Sequence, residues 1–175
     1  MPRRITDIGE SYFVTSTVVN WIDLFTRRLY FECLIENLRF CREQKGLRLY
    51  AYVIMTNHFH LIAACDTMPL TKLLGSFKAN TSKQLIKLIE SNDYESRQKW
   101  LLNAFSYFGA KNPHNQSYKI WQEGNYPIHL YDNKIYDQKL EYLHNNPVKA
   151  GFVGRTEDYY YSSASWDNPL GKMDD

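Results

Sequence analysis

Two histidines, His58 and His60, stand two residues apart in Asn57-His58-Phe59-His60-Leu61-Ile62. The apolar run 47–55 precedes them and 61–65 follows, both rich in β-branched and aromatic residues, which favours strands. Side chains alternate faces along a strand, so the two imidazoles point one way and Phe59 the other. Such a pair can grip one metal ion or one phosphate. Imidazole suits first-row divalent metals, but two ligands do not complete a site. The chain contains no HExxH and no cysteine cluster that would build a zinc cage.

A completing group lies some eighty residues on. Tyr142 and Asn146 are four apart and share one face of an expected helix. Asn146 carries a carbonyl oxygen that can ligate a hard cation. Tyr142 carries a phenol that can act as a nucleophile beside a cation. His144 falls about 200° round the helix from Tyr142 and is not expected to join it.

These groups need elements to position them. The stretch 12–19 reads as a first strand. Apolar residues at Tyr30, Cys33, Leu34, Leu38 and Cys41 recur at three and four, predicting a helix from about 26 to 45 that Gly46 stops. The runs around the histidines predict two strands joined at Thr56-Asn57, paired as an antiparallel hairpin. A long helix is expected over 70–90, with Thr67 as a candidate cap, and another over 96–107. A short strand with Pro127 at its edge or start follows Gly124, and a final helix spans about 135–146, closed by Asn146-Pro147. His129 lies on that short strand. The tail from about 152 has no assignable regular structure, and 171–175 is expected to fray. The order predicts an α+β fold: a ferredoxin-like antiparallel sheet displaying the histidines on an open face, with the helices on one face.

A chain of 175 residues is read as one domain over 1–175 with a C-terminal extension from about 152. A net charge of +2 says little about partners unless the charge is clustered. Lys72, Lys78, Lys83 and Lys87 on the 70–90 helix form a candidate basic face for phosphates, and the 14 tyrosines suit stacking on bases as well as core packing. Three cysteines without paired spacing read as reduced thiols. The first residues carry no apolar signal segment and no run is long enough to span a membrane, so a cytoplasmic location is expected.

The segment Thr56-Asn57-His58-Phe59-His60-Leu61-Ile62 resembles the histidine-hydrophobe-histidine motif of HUH single-strand DNA endonucleases. Leu140 to Val153, with Tyr142-Leu143-His144-Asn145-Asn146-Pro147-Val148-Lys149-Ala150-Gly151, is similar to the tyrosine-bearing helix of Y1 transposases of the IS200/IS605 type. The nearest resemblance is to REP-associated tyrosine transposases, which Trp121-Gln122-Glu123-Gly124-Asn125-Tyr126 and 157–164 also resemble. The resemblance runs from Tyr12 to Ala164. It implies that His58, His60 and Asn146 bind Mg²⁺ or Mn²⁺, and that Tyr142 attacks the scissile phosphate to leave a 5′-phosphotyrosine and a free 3′-hydroxyl. It implies a single-stranded or hairpin DNA partner, and either a homodimer with shared sites or a monomer. Candidate DNA contacts are the four lysines and His129, with Arg3, Arg4 and the 152–166 tail as candidates for reading bases.

The main alternative is a domesticated, non-cleaving nucleic-acid-binding protein on the same fold. An RNA-recognition sheet would need aromatic stacking motifs that the histidine stretch does not match. Large barrel hydrolases with an HxH signature need a far longer chain. A two-histidine phosphodiesterase needs a second His-x-Ser/Thr, which is absent.

Overall fold

The computed structural model describes residues 6–112 and 117–175; Arg3, Arg4 and His114 lie outside the described residues. In chain order the elements are β1 (Tyr12–Thr17), α1 (Arg28–Gln44), β2 (Leu47–Ile54), β3 (His58–Cys65), α2 (Leu70–Glu90), α3 (Gln98–Ala110), β4 (Ile128–His129) and α4 (Asn133–Lys149). The four strands form one antiparallel sheet in the order β2-β3-β1-β4. This is the expected α+β arrangement, with β3 inserted between β1 and β2.

Strand parity divides the sheet into two faces. One carries Tyr12, Val14, Leu47, Leu49, Tyr52, Ile54, Phe59, Leu61, Ala63 and Cys65, and α1, α2 and α3 cover it. The switch from odd to even positions along β2 occurs at a register shift between Leu49 and Ala51, where one extra residue turns the later side chains over. The other face carries Phe13, Ala51, Val53 and Ile62, packed on Leu143 of α4 with Tyr136 and Leu140 alongside. The expectation that all helices gather on one face is therefore corrected: α4 crosses the face that bears the histidines. Its apolar stripe gives Phe13, Val53 and Ile62 a dry contact that an open face would deny them.

The helix ends follow from local chemistry. Gly46 has a φ of +73° at the end of α1, and a Cβ there would stand 2.7 Å from Thr67 Cγ2. Thr67 donates to the Lys45 carbonyl rather than capping α2. The Asp132 carboxylate caps α4 by accepting from the Ile135 N–H at 2.8 Å. The expected stop at Asn146-Pro147 is not observed, because α4 runs through Pro147 to Lys149. Proline forfeits one hydrogen bond here, while its ring is buried. Gly151, with φ +78°, ends the helix by donating to Val148, and Phe152 donates to Pro147, a Schellman closure.

The tail is ordered where fraying was expected. Ile54 donates to the Tyr161 carbonyl and Ser163 donates to the Tyr52 carbonyl, both at 2.9 Å, so the tail lies along β2. Asp174 exchanges backbone and carboxylate hydrogen bonds with Leu49 and pairs with Arg42 at 3.0 Å.

A buried carboxylate ties the start of α1 to the start of α3. Glu95, whose side chain is fully enclosed, accepts from Arg27 Nε at 2.8 Å, Arg97 Nε at 3.2 Å and the Tyr30 hydroxyl at 3.2 Å. Arg97 also donates to the Asp23 carbonyl and the Thr26 hydroxyl, so the segment before α1 is pinned to the start of α3. Burial alone would raise the carboxyl, but the bonds from Arg27 and Arg97 outweigh it and hold Glu95 at about 2. Its contribution is complete above the ordinary glutamate range and is lost as the pH falls toward the folded value. Glu95→Ala should lower unfolding free energy by about 3 kcal/mol by leaving Arg27 and Arg97 without their shared counter-charge. A denaturant midpoint equal to the parent's would show that the cluster does not support the fold.

Candidate active site

The antiparallel pairing of β1 with β3 places Thr15 opposite His60 and Thr17 opposite His58. His58, His60 and Ile62 alternate onto the face covered by α4, as the spacing predicts. The rings of His58 and His60 lie 4.8 Å apart at 71°. α4 brings Asn146 to His60, its Nδ2 donating to Nε2 at 3.3 Å. Tyr142, one turn earlier, sets its ring against His60 at 5.4 Å and against Phe13 at 5.9 Å, both edge to face, and stays 42% exposed. The four residues singled out by type and spacing are thus neighbours within one chain.

Both imidazoles have a defined tautomer. The Asn57 amide donates Nδ2 to Asp23 Oδ1 at 3.1 Å and to the Trp21 carbonyl at 3.4 Å, so its Oδ1 faces His58 Nδ1 at 2.7 Å. An amide oxygen only accepts, so Nδ1 of His58 carries the proton and Nε2 keeps a lone pair. For His60, the Asn146 donor at Nε2 requires a lone pair there, and Nδ1–H donates to Thr15 Oγ1 at 2.7 Å. Phe13 stacks on the His60 ring at 5.1 Å. Burial lowers both imidazoles below their ordinary range. His60 reaches about 3, with His58 and Lys139 adding to the effect of burial. For His58 the Asn146 hydrogen bond partly opposes it. Two neutral rings with converging lone pairs and a nearby amide make a donor set that a divalent cation could use. Among the described residues no cluster of three His, Cys, Asp or Glu side chains could hold a metal, so the third donor here would be the amide.

Lys139 and Lys149 were not anticipated. Their ammonium groups lie 5.8 Å and 5.5 Å from the Tyr142 ring centroid, and Lys139 is 5.2 Å from that of Phe13. They sit three residues before and seven after the tyrosine, on its helical face, a spacing the sequence contains. Thr15 and Asn57 were missed for a different reason: their roles depend on strand register and turn geometry.

The other candidates are placed elsewhere. Lys72, Lys78, Lys83 and Lys87 lie on α2, in the layer across the sheet from the histidines. The Lys78 ammonium donates to the carbonyls of Gln122 and Gly124, both at 2.8 Å, and to Asn125 Oδ1 at 3.3 Å, so it braces a loop; burial lowers it to about 8. His129 pairs with Tyr12 across β4 and β1, stacks on its ring at 5.0 Å and meets Glu10 at 3.1 Å, again on the far face. His144 bonds Ser163 Oγ at 2.8 Å, apart from Tyr142 as expected. A cleft of about 1120 Å³ between α1 and α2 is also in the far layer and contains none of the four site residues. All three cysteines are free and buried. No helix among the described residues is long and apolar enough to cross a membrane.

No family model and no curated protein matches the chain. Among solved structures it is similar to a REP-associated tyrosine transposase bound to a REP hairpin, with a TM-score of 0.62 and 18% identity over 100% of this chain and 92% of that one. The chain therefore has the fold of a REP-associated tyrosine transposase, the fold that its histidine and tyrosine motifs imply.

The tautomers can be read directly. Long-range ¹H–¹⁵N NMR at pH 7 should show His58 and His60 neutral, both protonated at Nδ1. An Nε2–H signal from His60 would overturn the Thr15 contact as drawn.

Proposed function

We propose that this chain is a metal-dependent single-strand DNA endonuclease and strand-transferase that binds hairpin DNA and cuts through Tyr142. The observation that carries this reading is the meeting of His60 with both Tyr142 and Asn146 inside one chain. The solved transposase of the same fold is bound to a hairpin, which supports hairpin DNA as the partner.

His58, His60 and Asn146 would hold the divalent cation. The donor set fits: two imidazole lone pairs are held by oxygen acceptors behind them, and Asn146 carries a neutral oxygen on the group that now touches His60. Two nitrogens suit Mn²⁺ better than Mg²⁺. When bound, the cation would polarise the scissile phosphate and offset negative charge in the transition state.

The chain's own side chains do the rest. Tyr142 is exposed enough to meet a strand, while Phe13 and His60, stacked on each other, both contact its ring edge to face. Lys139 and Lys149 place positive charge around it, where phosphate oxygens would lie. The phenolic oxygen forms a bond to phosphorus as the bond to the 3′-oxygen breaks. The phenol's proton is released, the 3′-oxygen takes up a proton, and the 5′-phosphate stays on Tyr142. Attack by another 3′-hydroxyl reverses these steps and joins strands. Because one phosphodiester is exchanged for another, no nucleotide cofactor is needed. Tyr142 meets the histidines of its own chain, which supports the monomeric reading.

Incubation with hairpin DNA carrying unpaired flanks and Mn²⁺ should give a covalent adduct that survives denaturation and is absent from Tyr142→Phe. Equal adduct in that variant would remove Tyr142 as nucleophile, and hairpin binding with no adduct in the parent would favour the non-cleaving alternative. Thr15→Val should weaken Mn²⁺ binding, followed by electron paramagnetic resonance, by about tenfold through loss of the partner that orients His60. Unchanged affinity would mean that Thr15 does not orient the ligand.

A further inference from the structure

One residue beside the site has a conformation that packing does not explain. Trp21 is 61% exposed, yet its backbone lies in the left-handed region at φ +54°, directly after Asn20 at φ +53°. Asparagine tolerates that region; a bulky side chain there is an outlier. Among the described residues Tyr126 is the only other bulky side chain on a left-handed backbone. The strained turn is firmly held. Val19 and Ile22 on either side are buried, Val18 donates to the Asn57 carbonyl at 2.8 Å, and the Trp21 carbonyl accepts from Asn57 Nδ2. The fold thus anchors the peptide and turns the indole outward. Trp121 shows the usual alternative, buried with its Nε1–H donating to Thr81. Strain retained by well-fixed surroundings marks a functional position.

The indole stands 6.2 Å from the His58 ring at 71°. Its neighbours on the surface are polar: Asn20 and Asp23 are exposed, and Asn57 lies beneath. A lone aromatic plane in such surroundings does not make a protein-docking patch, which needs contiguous apolar surface. It does match an unstacked nucleobase, which offers one apolar face and polar edges.

Building on the proposed function, we infer that Trp21 is a stacking platform for an unpaired base in the strand that flanks the scissile phosphate. The phosphate would lie at His58, His60 and Tyr142, and Trp21 borders that point on the His58 side. The base hung from an adjoining nucleotide then lies over the indole, which fixes which phosphate reaches Tyr142. Stacking is tolerant of base identity, so the platform selects for an unpaired flank and sets the position of the cut.

The test uses hairpin DNA with short unpaired flanks on both arms and the same hairpin with blunt ends. Binding is read by fluorescence anisotropy with EDTA present, in a Tyr142→Phe background so that no strand is cut. Adding Trp21→Ala should weaken binding of the flanked hairpin about tenfold and leave the blunt hairpin unchanged, while Trp21→Phe keeps most of the affinity. An abasic nucleotide moved through the flanks should find one position that weakens the parent and has no further effect in Trp21→Ala. A Trp21→Ala protein that melts like the parent and binds the flanked hairpin equally well overturns the inference and leaves the proposed function standing. A parent that binds neither DNA overturns both.

Discussion

The register between β1 and β3 is the constraint on which the site rests. It sets Thr15 opposite His60, and the 2.7 Å contact between them orients the most buried imidazole among the described residues. A slip of one residue would send His58 and His60 into the layer under α1 and α2 and bring Phe59 out in their place. The slip is prevented on both faces at once. Val14 and Leu61 belong to one core, Phe13 and Ile62 to the other, so any shift would expose apolar groups on one side and bury polar ones on the other. The central strand that carries the chemistry is therefore also the strand least free to move.

α4 is fixed by the same logic. Leu143 is completely buried and Pro147, four residues on, is buried too. Tyr142 and Asn146 precede each of them by one position, so the reactive stripe runs beside the packed stripe. Seating Leu143 against Val53 and Ile62 sets the rotation of the helix, and that rotation delivers the phenol and the amide to His60. Preorganisation of this kind costs little, because the apolar contacts that hold the fold also aim the polar ones.

Much of this was legible in the residues. The hairpin around Thr56-Asn57, the 70–90 helix and the shared face of Tyr142 and Asn146 follow from periodicity and spacing alone, and the structure brings those two to His60. What periodicity could not show was anything set by the register of distant segments. Thr15 and Asp23 acquire their roles only when β1 and the segment after it are laid beside β3. The basic face of α2 looked suited to phosphates because four lysines share it, but a charge pattern along one helix does not tell which side of the sheet the helix will cover. Lys78 illustrates the point, since its three acceptors come from a loop more than forty residues away. Pro147 misled for a local reason: proline disfavours helix in the residue before it, yet a buried ring and a closing glycine made the last turn worth keeping.

The tail beside β2 has a consequence for how the molecule meets others. Residues 161–163 and Asp174 occupy the backbone groups of Ile54, Tyr52 and Leu49 on the outer strand. At the opposite margin β4 is two residues long and follows Pro127, which has no N–H to offer. Among the described residues neither rim of the sheet presents a long row of unpaired amides, which disfavours extension by strand addition from another chain. Contact with a partner then falls to side chains on its faces and loops, the same surfaces that carry the histidines and the tyrosine.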